Sequence, residues 1–130
     1  MTKKARKSGE YIELKQEFYI EAARKLPQLP QRHPCSQIHG HSFKITFTYR
    51  GRLNSSVGWL EDYHVLATKA QPILNQIDHQ FLNNIKGLEN PTTELLCIWL
   101  YKKTKKQIPI LFQVSIKETT TTECCYPVSR

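Results

Sequence analysis

The stretch "HSFKITFTYR", residues 41–50, sets apolar Phe43, Ile45, Phe47 and Tyr49 against polar Lys44, Thr46 and Thr48 without a break. Side chains of a strand point alternately to opposite faces, so a period of two predicts a β-strand with one covered face. Such a strand cannot stand alone. A sheet covered on one side calls for antiparallel neighbours and a layer of helices against its apolar face.

The rest of the chain supplies both. From about Tyr11 to Ala23, Phe18, Ile20 and Ala22 alternate with Glu17, Tyr19 and Glu21, a first strand. The segment Ile110 to Thr119 predicts another, with Phe112, Val114 and Ile116 on one side, and a short strand follows around Cys125–Val128. Between them lie two helices. Tyr63, Leu66, Ala70, Ile73 and Ile77 recur at three- or four-residue spacing, with Pro72 expected to bend that helix. Asn90-Pro91 opens the second, asparagine as cap and proline in the first turn, and Leu95, Leu96, Trp99 and Leu100 form its apolar face. "LPQLPQRHP" and "DHQFLNNIKGLEN" are loops, and "YRGRLNSSVG" is a hairpin-like connection. The expected fold is α+β, an antiparallel sheet with two helices on one face in the order ββααββ.

With 130 residues the chain holds one core. Residues 1–9 read as a basic flexible tail and 10–130 as a single domain. The net charge is +8; the four cations Lys3, Lys4, Arg6 and Lys7 belong to the tail, and setting them aside leaves a surplus of four. Lys102, Lys103, Lys105 and Lys106 fall where a helix C-terminus welcomes cations. The remaining surplus favours an anionic ligand. No nucleic-acid-binding motif accompanies it, so nucleic acid is not the expected partner. No run approaches the roughly 18 apolar residues of a membrane span. Four cysteines behind a charged N-terminus without an apolar leader point to a reducing cytoplasm.

Parity locates the chemistry. Within "RHPCSQIHGHSF", His39 and His41 share phase with Phe43, Ile45 and Phe47, so both imidazoles project toward the covered side, a suitable arrangement for metal ligands. Glu118 shares phase with Val114 and Ile116, and a carboxylate there needs partners. Arg24 shares phase with Ile20 and Ala22. Three strands bring polar groups to one covered face, which reads as a pocket.

The segments "EAARKLP", "CSQIHGHSF", "VGWLEDYHVL", "IDHQFLNN", "LENPTTELL" and "VSIKET", in that order from about Glu17 to Tyr126, resemble the 6-pyruvoyl-tetrahydropterin synthase family. The resemblance is closest to its bacterial branch, the 6-carboxy-tetrahydropterin synthases of the queuosine (7-deazaguanine) pathway. It implies the tunnelling fold (T-fold), trimers stacked into a homohexamer, and active sites between subunits. It also implies 7,8-dihydroneopterin triphosphate as substrate, cleaved to 6-carboxy-5,6,7,8-tetrahydropterin with release of triphosphate and acetaldehyde. By resemblance Cys35 is the general base, and Asp78 with His79 the relay pair. Glu118 anchors the pterin ring, Thr92 and Thr93 line its pocket, and His39 and His41 ligate zinc. Runner-up readings are a 6-pyruvoyl-tetrahydropterin synthase and a non-catalytic pterin-binding module.

One position departs from the pattern. The family's first zinc ligand is a histidine ending the first strand, and here that position is Arg24. A guanidinium stays charged and has no lone pair to donate. Three arrangements remain open. His33 or Cys35 supplies a third ligand with Arg24 turned aside; the metal is gone and Arg24 acts as a fixed cation toward the substrate; or catalysis is impaired. His64 reads as a surface residue, Cys97 as a buried thiol, and Cys124 and Cys125 carry no assigned role.

Overall fold

The computed structural model describes residues 7–130. Six elements follow one another: β1 (Lys7–Arg24), β2 (His39–Asn54), α1 (Tyr63–Leu74), α2 (Thr93–Gln107), β3 (Leu111–Lys117) and β4 (Cys124–Tyr126). The strands form one antiparallel sheet in the order β1-β2-β3-β4, and both helices are inserted between β2 and β3. Every strand therefore pairs with its neighbour in sequence. This is the expected ββααββ order, with β1 reaching back to Lys7. Three residues of the expected tail, 7–9, are thus in strand, and its first six lie outside the described residues.

The apolar row of β2 holds: Phe43, Ile45, Phe47 and Tyr49 are all buried, and Tyr49 is completely enclosed. Directly opposite them on β1, Ile20 pairs with Phe43 and Phe18 with Ile45. Leu66, Ala70 and Ile73 of α1 and Leu96, Trp99 and Leu100 of α2 close the same core from above. A core this continuous is the main source of stability, since each fully buried large apolar side chain contributes about 1.5–3 kcal/mol.

Four local readings need correction. Phe112 is exposed rather than in the row of Val114 and Ile116. Thr48 pairs with Gln113 but Tyr49 with Leu111, so an irregularity in the ladder skips Phe112. One extra residue reverses parity, and Phe112 turns outward beneath Arg50, whose guanidinium carbon lies 3.7 Å from its ring centre. Second, α2 is capped by Thr92, whose hydroxyl accepts from Leu95 N–H at 3.1 Å, and not by Asn90. Third, Thr48, read as a polar residue of the outer face of β2, is itself buried. Fourth, Tyr63 and Leu95 are largely exposed. At the other end of α2, Lys105 Nζ donates to the carbonyls of Pro109 (2.6 Å) and Leu111 (2.7 Å), tying the helix exit to β3. Among the described residues no helix is long and apolar enough to cross a membrane.

Candidate active site

Residues directly opposite in an antiparallel ladder share a face. Arg24 pairs with His39, Ala22 with His41 and Ile20 with Phe43, so the end of β1 and the start of β2 send Arg24 and both imidazoles to the covered side. Glu118 follows immediately after β3, in phase with buried Val114 and Ile116. The start of α2 adds Thr93. The parity argument for a shared polar cluster therefore holds.

The cluster is organised around an ion pair. Arg24 is 4% exposed. Its Nη2 donates to Glu118 Oε1 at 2.5 Å, and its Nη1 to the Pro91 carbonyl at 3.2 Å and the Thr93 hydroxyl at 3.3 Å. The Thr93 hydroxyl donates in turn to the same Glu118 oxygen. Reaching across β2, the guanidinium carbon lies 5.4 Å from the Phe43 ring centre. Burial works to raise the Glu118 carboxyl, but the Thr93 hydroxyl and the Arg24 guanidinium, with a smaller contribution from His41, outweigh it and hold Glu118 below the usual carboxylate range. Glu118 is ionised at neutral pH.

The imidazoles are set differently. His41 Nε2 lies 3.9 Å from Glu118 Oε2, beyond hydrogen-bond reach. Burial lowers the His41 pKa, Glu118 offsets this in part, and Arg24 and His39 lower it further, so the neutral ring is favoured. His39 Nδ1 lies 2.7 Å from the Gln37 carbonyl. A carbonyl only accepts, so in the neutral ring Nδ1 carries the proton and Nε2 the lone pair. That Nε2 is buried and, among the described residues, has no hydrogen-bond partner, and the same is true of Arg24 Nε. The two rings meet edge to face at 4.7 Å.

These residues do not fit the zinc expected from the resemblance. Two lone pairs are present, but a catalytic zinc takes three protein ligands. Among the described residues no group of three or more His, Cys, Asp or Glu side chains is placed to hold a metal ion. The third position is filled by a guanidinium. A divalent ion about 4 Å from it would be repelled by roughly 8 kcal/mol at an effective dielectric near 20, twice the value for unit charges. Replacement of the ligand by His33 also fails: its Nδ1 accepts from Cys35 N–H at 3.1 Å, and the ring is exposed.

Cys35 lies in a 3-10 turn, Pro34–Ser36, capped by His33. Its carbonyl accepts from Leu26 N–H at 2.8 Å, which staples this loop to the segment leaving β1. The thiol is half-buried. Asp78 and His79 follow α1. Asp78 Oδ1 accepts from Glu21 N–H at 3.0 Å and lies 2.9 Å from His79 Nδ1. A carboxylate only accepts, so in the neutral ring Nδ1 carries the proton and Nε2 the lone pair; the His79 side chain is 75% exposed. His79 has φ 60°, a left-handed conformation held by its N–H bond to the Glu21 carbonyl at 2.6 Å. The pair is bonded to β1 and, through the Asp78 N–H, to Leu74 of α1, and among the described residues to neither Cys35 nor Glu118. Thr92 and Thr93 separate: Thr92 caps the helix, and only Thr93 reaches the cluster. His64 is exposed and Cys97 buried, as expected.

Two hollows flank Glu118. One of about 340 Å³ is bordered by Thr93, Ile116 and Cys124. The other, about 430 Å³, is bordered by Tyr19, Ser42, Lys44, Lys117 and Thr119. Both lie in the range of small-molecule sites. The contact between Arg24 and Glu118 was missed in the sequence reading, although opposite charges in phase with one buried face were a signal for it.

Comparison with known proteins bears on the family and the fold. The family profile described as 6-pyruvoyl tetrahydropterin synthase matches residues 13–128. The chain is 35% identical over 116 residues to the 6-carboxy-5,6,7,8-tetrahydropterin synthase of Synechocystis sp. (strain ATCC 27184 / PCC 6803 / Kazusa), covering 85% of this chain and 88% of that protein. It is 28% identical over 127 residues to the enzyme of the same name from Bacillus subtilis (strain 168), covering 88% and 84%. The fold matches that of Caenorhabditis elegans 6-pyruvoyl tetrahydropterin synthase with a TM-score of 0.84 at 21% identity, covering 92% and 97% of the two chains. The sheet, its inserted helices and the ordered motifs are those of one group of enzymes, and the chain belongs to the 6-pyruvoyl tetrahydropterin synthase family.

Proposed function

We propose that the chain is a carbon–carbon lyase that converts 7,8-dihydroneopterin triphosphate and one water into 6-carboxy-5,6,7,8-tetrahydropterin, with release of triphosphate and acetaldehyde, on the queuosine route. The observation that carries this reading is Glu118, an ionised carboxylate on the covered face whose Oε2 stays open to a donor. A pterin ring presents N–H donors along one edge, and a buried carboxylate is their complement. Two similar relatives bear the name of this activity.

In this reading each group has a definite task. Glu118 Oε2 orients the ring, with Thr93 fixing the carboxylate from the helix start. Cys35 takes a proton from the substrate side chain. Asp78 holds the His79 tautomer, and the free Nε2 lone pair passes that proton on. In the family's assembly these groups meet between subunits, which accords with the exposure of His79. We expect a cytoplasmic homohexamer, so light scattering on the purified protein should return six chains of 15.2 kDa. No step is assigned to a metal, because the donor set does not fit one.

A second reading, a pterin-binding module without turnover, draws on the same carboxylate: Oε1 already accepts from Arg24 and Thr93. Product analysis separates the possibilities. Incubation with 7,8-dihydroneopterin triphosphate should release acetaldehyde in step with 6-carboxytetrahydropterin. A 6-pyruvoyl product identifies the synthase instead, and binding without any product identifies the module.

A further inference from the structure

We propose that this site works without a resident zinc, and that Arg24 Nε–H and His39 Nε2 together bind a hydroxyl group of the ligand side chain. The inference deepens the lyase reading and rests on it only for the class of ligand, a pterin with a polyhydroxylated side chain. Its metal arm needs no substrate at all.

Arg24 is not a side chain turned aside from a vacated ligand position. Its guanidinium is held from three directions: by the Pro91 carbonyl and Thr93 at the start of α2, by Glu118 after β3, and by the ring of Phe43 on β2. A cation with three such anchors at 4% exposure has no free route to solvent. Nor can it yield to a metal cheaply, because its departure leaves Glu118 half-paired in a covered site.

The two unsatisfied atoms point to what is bound instead. Buried polar atoms without partners are rare, and each calls for an explanation. Arg24 and His39 are direct partners across the β1–β2 ladder, and each has one buried nitrogen with no hydrogen-bond partner among the described residues. Arg24 Nε is always a donor; in the neutral His39 ring Nε2 is an acceptor, because Nδ1 faces the Gln37 carbonyl. One donor and one acceptor together are the complement of a hydroxyl, which accepts from the first and donates to the second. Zinc satisfies only the imidazole and is opposed by the guanidinium. A hydroxyl satisfies both.

The test has two arms on the intact, assembled chain. In the first, the protein is equilibrated with zinc, dialysed and analysed for metal, with cobalt(II) as a spectroscopic probe. Wild type should retain well under one ion per chain and show no visible bands of tetrahedral cobalt. Arg24→His, which restores a third imidazole, should bind one ion per chain and show those bands. Stoichiometric zinc in wild type that disappears in His39→Ala overturns the proposal, whether or not Arg24→His folds. In the second arm, neopterin and 6-methylpterin, the latter lacking side-chain hydroxyls, are compared as ligands. Neopterin should bind about tenfold tighter, the worth of a hydrogen bond to a charged group, and His39→Ala, which removes the acceptor half of the pair, should lower that preference. Equal affinities for wild type overturn the hydroxyl assignment. Failure of the acetaldehyde assay sinks the lyase reading but leaves both arms standing, so the two failures are distinguishable.

Discussion

A buried ion pair is costly to break from one side, because the survivor loses its partner without regaining water. Arg24 and Glu118 form such a pair, with side-chain exposures of 5% and 17%. Arg24→Ala should lower the unfolding free energy by about 3 kcal/mol. In a double-mutant cycle with Glu118→Ala, read by urea denaturation, the coupling should reach about 1–3 kcal/mol. Simple additivity of the two losses would show that the contact contributes nothing of its own. His79 offers the opposite test. A left-handed non-glycine residue carries a cost of roughly 1–2 kcal/mol, partly offset by the extra unfolded-state freedom of glycine. His79→Gly should therefore leave stability level or slightly raised, while turnover falls because the Nε2 lone pair is gone. A clear loss of stability with turnover intact would assign His79 to the fold instead.

At the scale of elements, the start of α2 has two jobs on adjacent threonines. Thr92→Ala should destabilise the protein by about 1 kcal/mol through loss of the cap, and Thr92→Ser should recover most of it; thermal melts of the three proteins decide the matter. The sequence reading assigned the cap to Asn90 because Asn-Pro is a strong helix opener, yet the helix starts two residues later. Strand faces were far more legible. In β1 and β2 the alternation runs through the middle of both strands and one face is covered, so Ile20, Phe43 and Ile45 could be assigned inward from sequence alone, although Thr48 is buried against the pattern. Phe112 could not. A single skipped residue in the β2–β3 ladder reverses parity, and nothing in "ILFQVS" marks the skip. Legibility ends where pairing between distant segments, rather than local pattern, decides which way a side chain points.

The same boundary applies to the whole molecule. That Arg24, His39, His41 and Glu118 share a face followed from phase; that Arg24 spans β2 to reach Glu118 required the strand order β1-β2-β3. The proximity of Asp78 to His79 was plain from sequence, whereas its attachment to the Glu21 N–H of β1 was not. Global stability has its own signature at alkaline pH. Burial raises the Tyr49 phenol and the Cys97 thiol above their ordinary values of roughly 10 and 8.5. The folded chain therefore holds protons that the unfolded chain releases. This contribution is whole below those ordinary values and is lost as pH rises past them. Unfolding free energy should fall steeply between about pH 9 and 11, and Tyr49→Phe should flatten that limb in urea titrations at successive pH values. An unchanged slope in Tyr49→Phe would mean that the phenol ionises freely in the folded state.

The guanidinium that crosses β2 has a bearing on how the protein comes to maturity. A charge encoded by a codon is in place as soon as the polypeptide folds, with no loading step, no chaperone for an ion and no competition from neighbouring transition elements. On the proposed zinc-free reading, cells starved of trace minerals should make this chain complete from its first moment.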